Sequence, residues 1–260
     1  MTPDDEDDPR RQLVRAVGED VRATLSGETE PQPLAELVDE VFALAARWAT
    51  TLRDGGGSDA KRRLPVCAPG CSSCCHLHAV FVTAPEALRL ATHLRRARSA
   101  SELARLRALV DRRANETREL SRAERGLARV PCPLLDEAGA CSVHPARPLL
   151  CRGYTSCDKD ACLRAFDAGD ALASPPGDLG AASAHLDAFA GVLLGAARSG
   201  RDAGPYELIA ALRVALDDDA ELRWARGEPV FDAAGTRIEH DGRDAWDDFV
   251  AREIARTRSG

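Results

Sequence analysis

Apolar residues recur three and four apart from Leu34 to Leu52, through Leu37, Val38, Val41, Phe42, Ala45 and Trp48, which is one stripe of an amphipathic helix. A weaker stripe through Leu13, Val17, Val21 and Leu25 precedes it. Asp54-Gly-Gly-Gly-Ser-Asp then breaks the period and reads as a flexible connector. Farther on, Thr83 and Glu86 make a capping box with Pro85 inside the first turn, predicting a helix from Ala84 to about Ala97. Ser99 and Glu102 repeat the device for a helix through Leu103, Leu106, Val110 and Ala114. Beyond Ser174-Pro-Pro-Gly the stripes resume through Leu179, Ala182, Leu186, Phe189, Leu193 and Ala196, then Leu208, Ile209 and Leu212, and finally Trp246, Phe249, Val250 and Ile254. An extended element from Val230 to Glu239, turning at Gly235, reads as a hairpin.

Between the stripes the pattern is irregular, and there the cysteines lie. All nine fall between positions 67 and 162, and ten residues, Cys67-Ala-Pro-Gly-Cys-Ser-Ser-Cys-Cys-His76, hold four of them. Pro69 and Gly70 keep this run out of a regular helix, and a turn-rich backbone lets close thiols converge while its amides donate to sulfur. Asp136 to Ala140, with Gly139 able to take positive φ, reads as a tight turn joining Cys132 to Cys141. Pro145 and Pro148 keep the chain irregular up to Cys151. Cys157 and Cys162 follow, the latter in a helix after Lys159 where it reads equally as a core filler.

Composition narrows the chemistry. The N-terminus, Met-Thr-Pro-Asp-Asp-Glu-Asp-Asp, has no basic region or apolar stretch of a signal peptide, and the odd cysteine count leaves a thiol over from any disulfide set. In a reducing cytoplasm clustered thiols bind metal or do catalysis. No apolar run is read as long enough, about 20 residues, to cross a bilayer, so the expectation is a soluble, cytoplasmic protein without a membrane partner. A net charge of −7 and 4% aromatic residues argue against nucleic acid. Gly55-Gly-Gly is followed by Ser-Asp-Ala, not the Lys-Ser or Lys-Thr of a phosphate loop, and no cysteine stands apart as a nucleophile.

Several neighbours bear on the thiols. His76 and His78 share a face if extended, and His76 is a candidate substitute for one sulfur, with His144 a weaker one; His93, His185 and His240 read as structural. Arg147 and Arg152 flank Cys151, where positive charge offsets thiolate charge, or else they pair with carboxylates such as Asp136. Tyr154 and Asp158 are candidates for supporting hydrogen bonds or substrate contact. The vicinal pair Cys74 and Cys75 is read as serving two centres or one multinuclear centre.

The spacing of Cys67, Cys71, Cys74 and Cys75, followed by Pro131-Cys-Pro-Leu-Leu, Cys141-Ser-Val-His and Arg147-Pro-Leu-Leu-Cys-Arg, resembles the YkgJ-type cysteine cluster family of zinc- or iron-chelating proteins. One departure is the first gap, with three residues between Cys67 and Cys71 where the family's naming pattern has two. The resemblance implies metal ligation by Cys67, Cys71, Cys74, Cys75, Cys132, Cys141 and Cys151, with Cys157 and Cys162 as further ligands. Some relatives of this type are flagellin lysine N-methylases, so it also implies an alternative: an iron-sulfur-dependent protein lysine N-methyltransferase using S-adenosylmethionine. The thiols alone leave the metal open between zinc, in closed sites of four thiolates, and iron or an iron-sulfur cluster. A protein substrate or redox partner would accompany either role.

The expected fold is mainly α, with helices packed around an irregular, loop-rich cysteine metal-binding module that carries one or two short hairpins. Its expected segments are a disordered acidic tail (1–9), N-terminal helices (10–54), a linker (55–66), the cysteine module with inserted helices (67–162) and a C-terminal helical region packed on the module (163–260).

Overall fold

A computed structural model describes residues 9–28, 32–55 and 64–234, together with Arg252 and Ala255. Eleven helices lie among them: α1 (Pro9–Leu25), α2 (Leu34–Gly55), α3 (Ser73–Leu77), α4 (Ala84–Ala97), α5 (Ala100–Thr117), α6 (Arg122–Ala128), α7 (Leu149–Gly153), α8 (Lys159–Ala168), α9 (Leu179–Arg198), α10 (Leu208–Ala215) and α11 (Ala220–Ala225). Two strands, β1 (Phe81–Val82) and β2 (Tyr206–Glu207), pair antiparallel with Phe81 opposite Glu207 and Val82 opposite Tyr206. The protein is mainly α, with its cysteines in the loop-rich stretch between α2 and α9.

The two N-terminal stripes bury themselves as their spacing predicts. Val17 and Val21 of α1 and Leu37, Val38, Val41, Phe42 and Ala45 of α2 meet Ala188, Phe189, Val192 and Leu193 of α9 in one apolar cluster. Contact between α1 and α9 is close because α9 offers glycine: a Cβ on Gly195 would stand 2.5 Å from the Gly18 carbonyl oxygen. Ion pairs clip the layer at its ends, Arg10 to the fully buried Asp187 and Arg53 to Asp178. By length and composition α9 would span a membrane, which a search for uninterrupted apolar runs misses. Most of its apolar stretch is buried inside the protein.

A second core gathers α4, α5, α10 and α11. Leu88, Leu90 and Leu94 of α4 and Leu106 and Val110 of α5 pack with Ile209, Leu212, Leu216, Trp224 and Phe231. The predicted capping boxes at Thr83/Glu86 and Ser99/Glu102 are both formed, and a third, Ser121/Glu124, opens α6. Val230–Ala234 is a 3-10 turn rather than the first arm of a hairpin: Val230 and Phe231 are drawn into the core, and Tyr206 stacks on Phe231 at 5.3 Å. The rest of that expected hairpin, the last apolar stripe around Trp246 to Ile254, the acidic residues 1–8 and linker residues 56–63 lie outside the described residues. The connector starts later than expected, since α2 runs on through Gly55.

Candidate metal centre

Cys67 and Cys71 occupy an exposed loop between α2 and α3. The Val66 amide donates to the Ser156 carbonyl at 2.8 Å, and the Ser156 amide donates to the Cys67 sulfur at 3.3 Å. Gly70 takes φ +84° in the turn that lets the Cys71 amide donate to the Ala68 carbonyl at 2.9 Å. α3 then carries Cys74 and Cys75 on successive positions with their sulfurs 4.0 Å apart. Two ligands on one tetrahedral ion with 2.3 Å bonds stand about 3.8 Å apart. The pair therefore has the spacing to share one ion as well as to serve adjacent ones.

The expected turn between Cys132 and Cys141 is formed. The Asp136 amide donates to the Ala140 carbonyl at 2.9 Å, Asp136 Oδ1 accepts from the Ala138 and Ala140 amides, and Gly139 takes φ +73°. Leu135 and Cys141 bridge across the turn. The Cys132 amide donates to the Cys75 carbonyl at 2.9 Å, which joins this turn to α3. Leu134 and Val143 are buried in the second core, and Cys132 and Cys141 pack against it half-buried.

Past a 3-10 turn at His144–Ala146, Pro148 opens α7, which carries Cys151. The Leu149 amide donates at 2.7 Å to Oε1 of Glu86, while Oε2 of the same carboxylate caps α4 through Thr83. One buried side chain thus fixes the start of the cysteine-bearing helix to the start of α4. α8 follows with Asp158 as its N-cap, accepting from the Ala161 amide at 2.9 Å, and with Cys162 in its first turn. α8 packs on α3, where Phe166 meets the His76 ring edge-on at 5.6 Å. The Cys157 amide donates to the Pro176 carbonyl at 2.7 Å.

Protein surroundings set the thiol chemistry. Burial pushes Cys132 up to about 12, against a donated hydrogen bond from the Leu134 amide. Burial also raises Cys151 well above an ordinary thiol, and the charges of Cys132, Cys74 and Cys141 add to it. Cys74 is raised first by its contact with Cys75 and then by burial. Burial raises Cys71 and Cys141 too, and the amides of Ser73 and Val143 oppose it by donating to their sulfurs. Three sulfurs thus face the amide two residues on, an arrangement that favours thiolate. Among the described residues no three Cys, His, Asp or Glu side chains are drawn into a single coordination sphere.

The neighbours sort themselves by geometry. Arg147 faces the thiols, opposing the rise at Cys141 and Cys151, while Arg152 turns away to cap the Arg147 and Pro145 carbonyls and lies 4.3 Å over the Phe42 ring. His76 Nδ1 donates to the Ser72 carbonyl at 2.9 Å, so its Nε2 is the nitrogen with a lone pair to offer. His78 is committed otherwise: the Ala171 carbonyl takes its N–H and its Nε2 accepts from Tyr154 Oη at 2.6 Å. The Arg147 charge, and after it partial burial, lower the pKa of His144 below the usual imidazole value. Ser156, and the second role of Glu86 beyond its cap, position the module in ways that sequence reading missed. Their partners lie 89 and 63 residues away, and no local pattern announces such contacts.

A cavity of about 330 Å³ lies between α5 and α10, bordered by Arg107, Asp111, Arg213 and Asp217, with no cysteine in its wall.

Fold and site together define a helical protein with a thiol-rich module of turns and short helices, whose sulfurs, amides and one facing arginine suit a soft cation. Residues 66–167 match the family model CxxCxxCC, described as "Putative zinc- or iron-chelating domain". The match spans fewer than half of the chain's residues but encloses all nine cysteines. No curated protein and no solved structure matches the chain.

Proposed function

We propose that the protein binds zinc or iron, the iron as ions or as an iron-sulfur cluster, through thiolates drawn from Cys67, Cys71, Cys74, Cys75, Cys132, Cys141, Cys151, Cys157 and Cys162. The observation that supports this reading is the hydrogen bond from the Cys132 amide to the Cys75 carbonyl, which joins the turn bearing Cys132 and Cys141 to the helix bearing Cys74 and Cys75. Soft thiolates select zinc, copper(I) or iron-sulfur centres over hard cations. The amides of Ser73, Leu134 and Val143 orient and stabilise the sulfurs as anions, and Arg147 supplies positive charge beside Cys141 and Cys151. When bound, the metal would supply a charged cross-link, or a redox centre if it is iron. Such a site suits a reducing compartment such as the cytoplasm, with a protein that donates, accepts or is reduced by the metal as partner.

Anaerobic purification followed by elemental analysis and an absorption spectrum tests it. The expected result is at least one metal per chain, with visible absorption and acid-labile sulfide if the centre is iron-sulfur, and a colourless protein if it is zinc. Less than one metal per chain under metal-replete, reducing conditions overturns the reading.

A further inference from the structure

Cys74 and Cys75 present their sulfurs 4.0 Å apart on α3, and both side chains are half-buried, within reach of solvent. The peptide unit between them is held on both sides. The Cys75 amide donates to the Ser72 carbonyl at 2.9 Å, and the Cys74 carbonyl accepts from the His78 amide at 3.1 Å. The Cys75 carbonyl in turn accepts from the Cys132 amide at 2.9 Å, and α8 packs on the same short helix. A backbone fixed in this way opposes a disulfide between the two thiols. Consecutive Cα atoms across a trans peptide are about 3.8 Å apart, below the roughly 4.4 Å from which disulfides ordinarily start. Closing the ring would therefore require this peptide to twist against the two hydrogen bonds that hold it. The fold keeps the pair open as a dithiol.

A closed zinc site needs four donors, and among the described residues no three Cys, His, Asp or Glu side chains are grouped to hold an ion. A centre satisfied by two sulfurs fits the pair as it stands. We propose that Cys74 and Cys75 form a two-sulfur site for trivalent arsenic, as arsenite or an organoarsenical. The proposal takes two thiols of the metal-binding reading above and rests on its premise that they are reduced. Trivalent arsenic is thiophilic and joins thiols by condensation. An oxide R–As=O and two S–H groups give two As–S bonds and one water, the As=O oxygen leaving with both thiol protons while arsenic keeps its oxidation state. No oxidant, reductant or third protein ligand takes part. With both sulfurs carried on one fixed helix turn, the second As–S bond forms within the complex and costs little further ordering.

The test uses the full chain, reduced, anaerobic and stripped of metal by a chelator, titrated with phenylarsine oxide, whose arsenic has two positions to fill. The first equivalent should add to the chain with loss of one water, read by mass spectrometry, and should consume two of the nine thiols and come off with ethanedithiol. Cys74→Ser and, independently, Cys75→Ser should each weaken that equivalent at least about 100-fold, the lower end of what a second linked contact contributes. A measurement on the unsubstituted chain accompanies them: alkylation of the loaded protein, followed by peptide mapping, should show Cys74 and Cys75 as the protected pair. Retention of the first equivalent in either variant overturns the proposal, as does protection of any other pair. Uptake of zinc or iron without uptake of the arsenical overturns the arsenic site alone, whereas uptake of the arsenical by a chain that takes up neither metal overturns the metal reading and leaves the arsenic site standing.

Discussion

Glu86 concentrates in one carboxylate what holds the cysteine module to its support. It is 1% exposed, caps α4 through Thr83 and accepts the Leu149 amide that begins α7. Replacing it by Ala leaves buried amides at two helix starts without a partner, and at about 1–3 kcal/mol for each unsatisfied group the variant should unfold at clearly lower urea. Burial holds Glu86 above the usual carboxylate range. Its folded pKa then exceeds its unfolded one, so its ionisation costs stability as pH rises from the ordinary carboxylate value through the raised one. Glu86→Gln should lack that part of the decline, measured as the difference between the two proteins' urea midpoints across mildly acidic pH. The thiols carry a second pH dependence. With Cys132 pushed up to about 12 and Cys151 raised well above normal, these thiols are protonated at neutral pH without metal and, if they ligate as proposed, must release protons to bind it. Zinc uptake in weakly buffered solution should acidify the medium, and apparent affinity should fall as pH is lowered. Of these residues the cysteines were legible as a clustered set of candidate ligands from their spacing. Glu86 was legible only as a cap, because its second role depends on a partner 63 residues away.

Among the elements, those with a long period or a reciprocal cap were plain in the sequence. The stripes for α1, α2 and α9 and the boxes opening α4 and α5 mark helices whose bounds match closely, because cap and stripe are local and repeated. Ser121 and Glu124 carry the same signature before α6 and could have been read the same way. Short α7, five residues behind Pro148, has too few positions to show a period, and the Val230–Ala234 turn follows the core rather than its own residues. A stripe also shows which face is buried without showing how closely the neighbour approaches. Gly195 is the instance: with its would-be Cβ 2.5 Å from the Gly18 carbonyl oxygen, a backbone atom that cannot rotate aside, Gly195→Ala must push α1 and α9 apart. A loss of about 1–3 kcal/mol is expected from such overpacking, read by chemical denaturation, with zinc stoichiometry unchanged because no cysteine lies on either helix.

On the scale of the molecule, two apolar cores flank the cysteine module, joined through the β1–β2 pair and through Leu149, which belongs to the first core while its amide is held by Glu86 at the edge of the second. The mainly helical class and the confinement of chemistry to one irregular stretch were legible in the chain. How far the thiols stand from one another was not, since that follows from contacts between segments remote in sequence. The hydrogen bond from the Cys132 amide to the Cys75 carbonyl shows what this means for affinity. Between those residues runs an excursion of more than fifty, containing α4, α5 and α6. In an unstructured chain, bringing its ends together would cost roughly 3–4 kcal/mol of loop-closure entropy, taking (3/2)RT ln n for a loop of that length. Here helix packing has already closed the loop, so an incoming ion meets preassembled ends. Leu94→Ala, a cavity in the α4 core far from any ligand in sequence, should therefore weaken zinc binding in a competition titration while leaving the stoichiometry intact. The grip on the metal would then be set as much by hydrocarbon packing as by sulfur.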